Sequence, residues 1–304
     1  WSTVAAEARC SNAKAHVVRV FAICVEKNSE MPDGHPDKKY KGRVVFQGND
    51  VKDENWDIAM FQDLSSTPAT MPASKCVDLH GLMHENAIGQ ADATQASTQS
   101  KLGGAKTWVR LPKDQWPQAW TDKGYSDPVC PLVLSLHGHP DSGGYWERHC
   151  EKHLLAQGFK PLCEWRSAYW HDIMKLLLIV YVDDFNLPGP SENMDQGWKL
   201  VRSDSDGTKG ITCGDPEPVG RYLGAEHVEG DAILTWQGEL IPSKQDPEHE
   251  PAPSIPGKRV HTMTYCMESF MQSCVDLYCE LTGTDSESLD HATTPFVAET
   301  CLLY

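Results

Sequence analysis

The longest uninterrupted apolar stretch in the chain is Leu176–Val182, seven residues that end directly on two acids, Asp183 and Asp184. A short continuous apolar run is the pattern of a strand buried on both faces. Trp165–Trp170 lies just before it, aromatic and strand-like, and the polar stretch His171–Lys175 between them makes a turn, so the spacing predicts a β-hairpin. Upstream, Tyr145, Trp146, Cys150, Leu154 and Leu155 recur at threes and fours, which predicts a helix over Gly144–Phe159 ended by Gly158. Lys41–Phe46 and Trp108–Leu111 read as further strands. Near the C-terminus Phe270, Cys274, Leu277, Tyr278 and Leu281 fall on one helical face, predicting a helix over Tyr265–Leu281 with that face buried. Gly207–Pro218 and the proline-rich Ile241–Gly257 read as long loops or linkers. Helices packed on an antiparallel sheet define an α+β chain.

Composition narrows this picture. The chain has 304 residues, 40% hydrophobic and 9% aromatic, too rich in large apolar side chains for general disorder. No run approaches the ~18 apolar residues of a membrane span. The 11 cysteines form no Cys-x-x-Cys pair, and with no signal peptide we expect free thiols in a reducing compartment and a soluble intracellular chain. The chain begins at Trp1 and stops at Tyr304 without a capping signal, which we read as a fragment of a longer protein.

The formal charge of −16 is uneven: residues 229–304 hold 3 basic and 13 acidic side chains. Two stretches run the other way, Lys38, Lys39, Lys41 and Arg43, and Lys101, Lys106 and Arg110 reaching Lys113. Charges further apart than about 8 to 10 Å are largely screened from one another, so a local basic stretch can meet phosphate on an acidic chain. The whole-chain charge argues against tight autonomous nucleic-acid binding.

The candidate chemistry sits at Asp183-Asp184. An apolar strand that ends on two acids, followed by more apolar residues and a turn at Pro188-Gly189-Pro190, suggests a tight hairpin with the acids at its tip. Side-chain alternation places Asp183 on the face of Tyr181 and Ile179 and Asp184 on the other. Adjacent carboxylates beside an apolar sheet repel, and a divalent cation would relieve that. A simple polar turn is the alternative reading of the same residues. His149-Cys150-x-x-His153 offers two or three zinc ligands and no evident fourth. Trp116, Trp120, Trp165 and Trp170 can stack on bases or pack in a core. No Gly-x-Ser-x-Gly supports a serine hydrolase.

Tyr181-Val182-Asp183-Asp184 resembles the Tyr-x-Asp-Asp box of reverse transcriptases, and its surroundings are similar to the copia-type retrotransposon subgroup. Tyr40-Lys41-Gly42-Arg43-Val44-Val45-Phe46-Gln47-Gly48 resembles that subgroup's fingers motif. Ala91-Asp92-Ala93-Thr94-Gln95-Ala96 resembles the strand carrying its first metal-binding Asp. Ser135-Leu136-His137-Gly138 with Trp146 resembles the start of a palm helix. Trp108–Pro112 resembles the segment that follows the Asp92 strand, Arg221-Tyr222-Leu223-Gly224 the Phe-Leu-Gly segment near the primer grip, and Thr294-Pro295 a Thr-Pro just before the family's next region.

The resemblance implies a right-hand polymerase. Residues 1–37 would be an N-terminal extension, 38–230 the fingers and an antiparallel palm sheet, and 231–304 a linker with a partial helical, thumb-like or connecting segment. The implied activity is RNA-directed DNA polymerisation within a retrotransposon polyprotein, on an RNA or DNA template with primer and deoxynucleoside triphosphates. The RNase H and integrase parts lie outside this chain, and no membrane is involved. Asp92 and Asp183, 91 positions apart, would hold Mg²⁺ or Mn²⁺ with Asp184 assisting. Arg43, Lys41 and Lys39 would meet the triphosphate, Ser97 the sugar, and Tyr222, Leu223 and Gly224 the primer. The family's work usually occurs in cytoplasmic particles.

Two departures carry physical consequences. Ser97 stands where the family has an aromatic residue that excludes a 2′-hydroxyl, which leaves that space open. Asp141 puts a negative charge where the family has a nucleotide-contacting Gln. These suit an inactive remnant with weak nucleic-acid binding, the alternative to a working polymerase. An unrelated metal-dependent phosphohydrolase using Asp183 and Asp184 is a third reading.

Overall fold

A computed structural model describes residues 1–27, 34–36, 38–61, 68–205, 207–242 and 257–289. Thr294-Pro295 and most of the Ile241–Gly257 stretch lie outside the described residues. The chain is a mixed α and β structure with three sheets.

The first sheet joins β1 (Ala15–Lys27), β2 (Lys39–Phe46), β4 (Lys106–Arg110) and β5 (Cys130–Pro131) in the order β2-β1-β4-β5, with β1 and β4 parallel. β1 and β2 pair along eight positions from Val20↔Phe46 to Lys27↔Lys39, so residues 15–27 belong to the same sheet as the basic strand. Helix α1 (Ser2–Cys10) packs beside β1.

The second sheet is antiparallel throughout. It contains β3 (Asn86–Asp92), β6 (Lys160–Leu162), β7 (Trp165–His171), β8 (Leu176–Tyr181), β9 (Asp184–Pro190) and β10 (Glu217–Pro218), ordered β10-β3-β9-β8-β7-β6. Its two faces explain the apolar run. Leu176, Leu178 and Val180 pack with Trp146, Cys150 and Leu154 of α5 (Ser142–Ala156) and with Trp198 and Val201 of α6 (Met194–Arg202). Leu177 and Ile179 pack on the opposite face with Ala73 and Val77 of α2 (Met71–Gly81). A strand covered on both sides needs apolar residues at consecutive positions. The expected β7–β8 hairpin is present in register Ala168↔Ile179 to His171↔Leu176.

The third sheet holds β11 (Arg221–Tyr222), β12 (Ala225–Thr235), β13 (Leu240–Pro242) and β14 (Gly257–Cys266), with β14 along a ten-position ladder on β12. Short helices α3 (Ala96–Gln99) and α4 (Gln118–Asp122) lie in connections, and α7 (Glu268–Thr282) follows β14.

Three local expectations change. Pro188-Gly189-Pro190 is not a turn but the end of β9, paired with Asn86–Ile88 on β3. The β8 ladder stops at Ile179↔Asn186, so β9 has no strand on that side there and tolerates residues without an N–H. The C-terminal helix starts at Glu268, because Tyr265 and Cys266 belong to β14. Its apolar face, with Phe270, Leu277, Tyr278 and Leu281, is exposed rather than buried. Among the described residues no helix is long and apolar enough to cross a membrane, and all ten described cysteines are free.

Candidate active site

Strand order brings the two acidic segments together. β3 lies beside β9, and Asp92 is the register partner of Asp184. The next residue, Ala93, donates its N–H to the Asp183 carbonyl at 2.6 Å. On its other side β3 is held by a loop, where Gly214 donates to the Asp92 carbonyl at 3.0 Å and Thr94 to the Thr212 carbonyl at 2.9 Å. The Gln99 side chain ties that loop down, donating to Thr212 at 2.7 Å and accepting from its N–H at 2.8 Å. Asp92 is therefore positioned by backbone on both edges.

Tyr181↔Asp184 closes β8 onto β9, leaving Val182 and Asp183 as a two-residue turn. Val182 has φ 58°, a left-handed conformation costly for a β-branched residue. Trp146 on α5 holds the turn from below, its indole N–H donating to the Val182 carbonyl at 2.6 Å. The expected hairpin with acids at its tip is present, and its turn corrects only the face that alternation gave to Asp184. Because the chain reverses between Tyr181 and Asp184, those two are cross-strand neighbours and share a side with Asp92, while Asp183 belongs to the turn.

The electrostatics follow from this packing. Asp184 is half-buried, whereas Asp92 and Asp183 are exposed. Burial first, then the charges of Asp183 and Asp92 and a hydrogen bond to the Asp92 carboxylate, push the Asp184 carboxyl up from 3.8 to about 7. Asp184 thus keeps its proton to well above the usual carboxylate range, hydrogen-bonded to Asp92 while it does. Hard carboxylate oxygens are the donors a divalent magnesium-type ion takes, and a cation would replace that proton. Among the described residues, however, no group of three or more His, Cys, Asp or Glu side chains is disposed to hold one metal. The donor chemistry fits, with Asp92 and Asp184 in contact and Asp183 at the adjoining turn.

An open groove of about 590 Å³ runs from this hairpin to the third sheet, lined by Ala69, Met71, Tyr181, Asp184, Arg221, Leu223 and Gly224. Leu223 (φ 50°) and Gly224 (φ 85°) form the two-residue turn between β11 and β12, and two consecutive left-handed residues give the twist such hairpins need. Tyr222 points inward, buried, its phenol pushed up to about 12 chiefly by burial. Below it lies a polar group with no signal in the sequence. Asp78 of α2, almost fully buried, accepts from the Tyr265 hydroxyl at 2.7 Å and faces His227 Nδ1 at 3.3 Å. It fastens β12 and β14 to α2.

The other expected residues are distributed as follows. Lys39, Lys41 and Arg43 stand exposed on β2, and among the described residues none has an ion-pair partner, whereas Lys38 pairs with Glu26 at 3.7 Å. Ser97 sits half-buried in α3 after Asp92's strand. The structure brings Asp92, Asp183, Asp184 and the 221–224 hairpin into one neighbourhood, whereas Lys39, Lys41 and Arg43 lie on a strand of a different sheet. His153 Nε2 lies 2.8 Å from the Val201 carbonyl and links α5 to α6, and among the described residues no group of three or more donors forms around it to hold zinc.

No family model matches the chain, and no curated protein matches it. Among solved structures, the chain is similar to telomerase from Candida albicans, determined in complex with a TWJ fragment of telomeric RNA, at 9% identity and a TM-score of 0.33. The similarity covers 84% of this chain and 50% of that one, so the chain spans about half the length of that protein. Likeness at this level carries no argument about function, which has to be drawn from the residues themselves.

Proposed function

We propose that the chain is an RNA-directed DNA polymerase module of the copia-type retrotransposon class, with fingers and palm over 38–230, to whose first sheet the 1–37 extension adds β1, and with a linker and thumb-like segment over 231–304 that shares the third sheet through the β12–β14 ladder. The observation that carries this reading is the groove in which the Tyr181–Asp184 hairpin, with Asp92 at its side, faces the Arg221–Gly224 hairpin. Two segments matched separately to one family's motifs meet across one space.

In this reading Asp92 and Asp183, with Asp184 assisting, would hold Mg²⁺ or Mn²⁺, which supplies charge stabilisation at the attacking and leaving oxygens of nucleotidyl transfer. The protein's own part is positioning. Trp146 fixes the height of the Val182 turn and hence of both acids. The Leu223–Gly224 turn supports the primer end across the groove. Arg43, with Lys41 and Lys39, binds the triphosphate through charge-assisted hydrogen bonds. Ser97 lies against the sugar and, being small, discriminates weakly against a 2′-hydroxyl.

A second reading, an inactive remnant that keeps the fold, is favoured by the absence of a three-donor group among the described residues and by Ser97 and Asp141 at the two positions that depart from the family pattern. Primer extension on an RNA or DNA template separates the two. The polymerase reading expects template-directed extension that Asp183→Asn abolishes. Extension absent with both Mg²⁺ and Mn²⁺, also after Ser97→Tyr, establishes the remnant. Equal extension by wild type and Asp183→Asn removes the carboxylates from the chemistry.

A further inference from the structure

A second cleft lies on the first sheet, away from the acids. About 630 Å³ in volume, it is lined by Arg19 and Phe21 of β1, Gln47 just after β2, Arg110–Lys113, Trp116 and Ser126–Pro128. Its charge is unbalanced by construction. Arg19 and Arg110 are register partners on parallel strands, so two guanidinium groups stand side by side. Only one is satisfied: Arg110 forks onto Asp127 at 2.7 and 2.9 Å, which holds the Asp127 carboxyl below its usual range. Among the described residues neither Arg19 nor Lys113 has an ion-pair or side-chain hydrogen-bond partner, and both are exposed. Three cations against one already engaged carboxylate leave a site that calls for an anion.

The walls specify what kind of anion. Phe21 is 42% exposed on a strand position whose alternation puts it on the same face as Arg19. Trp116 is fixed at its edge, its indole N–H donating to the Leu111 carbonyl at 3.1 Å and its ring lying edge-on to Trp120 at 6.3 Å. A pinned indole loses little entropy when a flat ring stacks on it. Cations interleaved with presented aromatic faces recognise phosphates and bases together, irrespective of base identity. An inorganic phosphate needs no aromatic wall, and the volume is that of a small-molecule site, ample for a nucleotide unit. Beyond Phe21 the same face of β1 continues with exposed Ile23 and Val25, whose partners on β2 are Arg43 and Lys41.

We propose that this cleft binds a single-stranded nucleic-acid segment, with Trp116 and Phe21 stacking on bases and Arg19 and Lys113 meeting phosphates. The identification of that segment as template strand rests on the proposed polymerase function; the binding itself does not. Single strands commonly span such a surface without sequence preference, and the affinity at physiological salt belongs in the non-specific range of about 10⁻⁶ to 10⁻⁴ M.

The test is fluorescence anisotropy of a labelled twelve-nucleotide oligo-dT and oligo-U with the full chain, without metal or triphosphate, at several salt concentrations. Trp116→Ala is expected to weaken binding about 5- to 150-fold, equivalent to ~1–3 kcal/mol, and Trp116→Phe to restore most of it. Arg19→Ala with Lys113→Ala is expected to reduce the slope of log affinity against log salt by about 1.4, the share of two phosphate contacts on a single strand. Unchanged affinity in Trp116→Ala together with an unchanged slope in the double variant overturns the proposal. So does equal displacement of the oligonucleotide by polyglutamate, which would make the cleft a general anion site. Because the assay omits metal and triphosphate, binding without any primer extension leaves this inference standing while the polymerase reading fails.

Discussion

Replacing Asp184 by Asn fixes in place the neutral form that the structure favours. In the native chain the carboxyl is held at about 7 against 3.8 in an unfolded chain. Between about pH 4 and pH 7 the folded state therefore keeps a proton that the unfolded state releases. Stability from this group is complete below about pH 4 and is lost as pH rises through 7. At 1.36 kcal/mol per tenfold change in acidity the interval amounts to roughly 4 kcal/mol. Asp184 is only half-buried and the charges acting on it, Asp183 and Asp92, are exposed, so screening reduces this to about 2 kcal/mol.

Asn keeps an N–H to offer Asp92 and carries no charge. The variant should match wild type at pH 4 and melt about 4 to 8 °C higher at pH 8, taking ~2–4 °C for each kcal/mol. Tryptophan fluorescence during thermal unfolding at half-unit steps from pH 4 to pH 8.5 reads this directly. A wild-type-minus-variant difference that is flat with pH, or a variant less stable than wild type at pH 8, refutes the proton-sharing pair.

Other expectations concern the supports of the site. Trp146→Phe removes the donor to the Val182 carbonyl and should cost about 1 to 2 kcal/mol in urea unfolding, with faster amide exchange at residues 182–184. Val182→Asn places a residue that tolerates the left-handed region at φ 58° and should stabilise the fold by about 1 kcal/mol; a loss of stability would show that the turn is not strained. Asp78→Ala leaves the Tyr265 hydroxyl and His227 without their shared acceptor and should cost about 3 kcal/mol, measured by urea titration, whereas Asp78→Asn should cost less.

Much of the second sheet was legible because local rules and tertiary packing agree there. A doubly covered strand requires the consecutive apolar residues 176–180, and the helix beginning at Ser142 shows its buried residues at helical spacing before Gly158. Even the motif glycines have a physical reason. A Cβ on Gly48 would lie 2.2 Å from the Gly138 carbonyl oxygen, and one on Gly138 2.3 Å from that of Phe46, so only glycine lets β2 abut the segment before α5.

Illegible features depend on where the chain turns and on distant partners. Alternation misassigned the face of Asp184 because the strand ends at Tyr181. The C-terminal helix has the periodicity of a buried face, yet periodicity does not say whether a neighbour is there to cover it. Asp78 meets His227 and Tyr265 across 149 and 187 positions of sequence, a separation that no local pattern encodes. The proximity of Asp92 to Asp184 likewise follows from β3 lying beside β9, which is a fact of sheet order.

The claim on which the polymerase reading depends is that residues 92, 183 and 184 form one divalent-cation site. Titration of Mn²⁺ at pH 8, with free Mn²⁺ read by electron paramagnetic resonance, tests it in wild type, Asp92→Asn and Asp183→Asn. Bound Mn²⁺ in wild type that either substitution removes is the expected result. The same bound Mn²⁺ in all three proteins, or none in wild type, would contradict it.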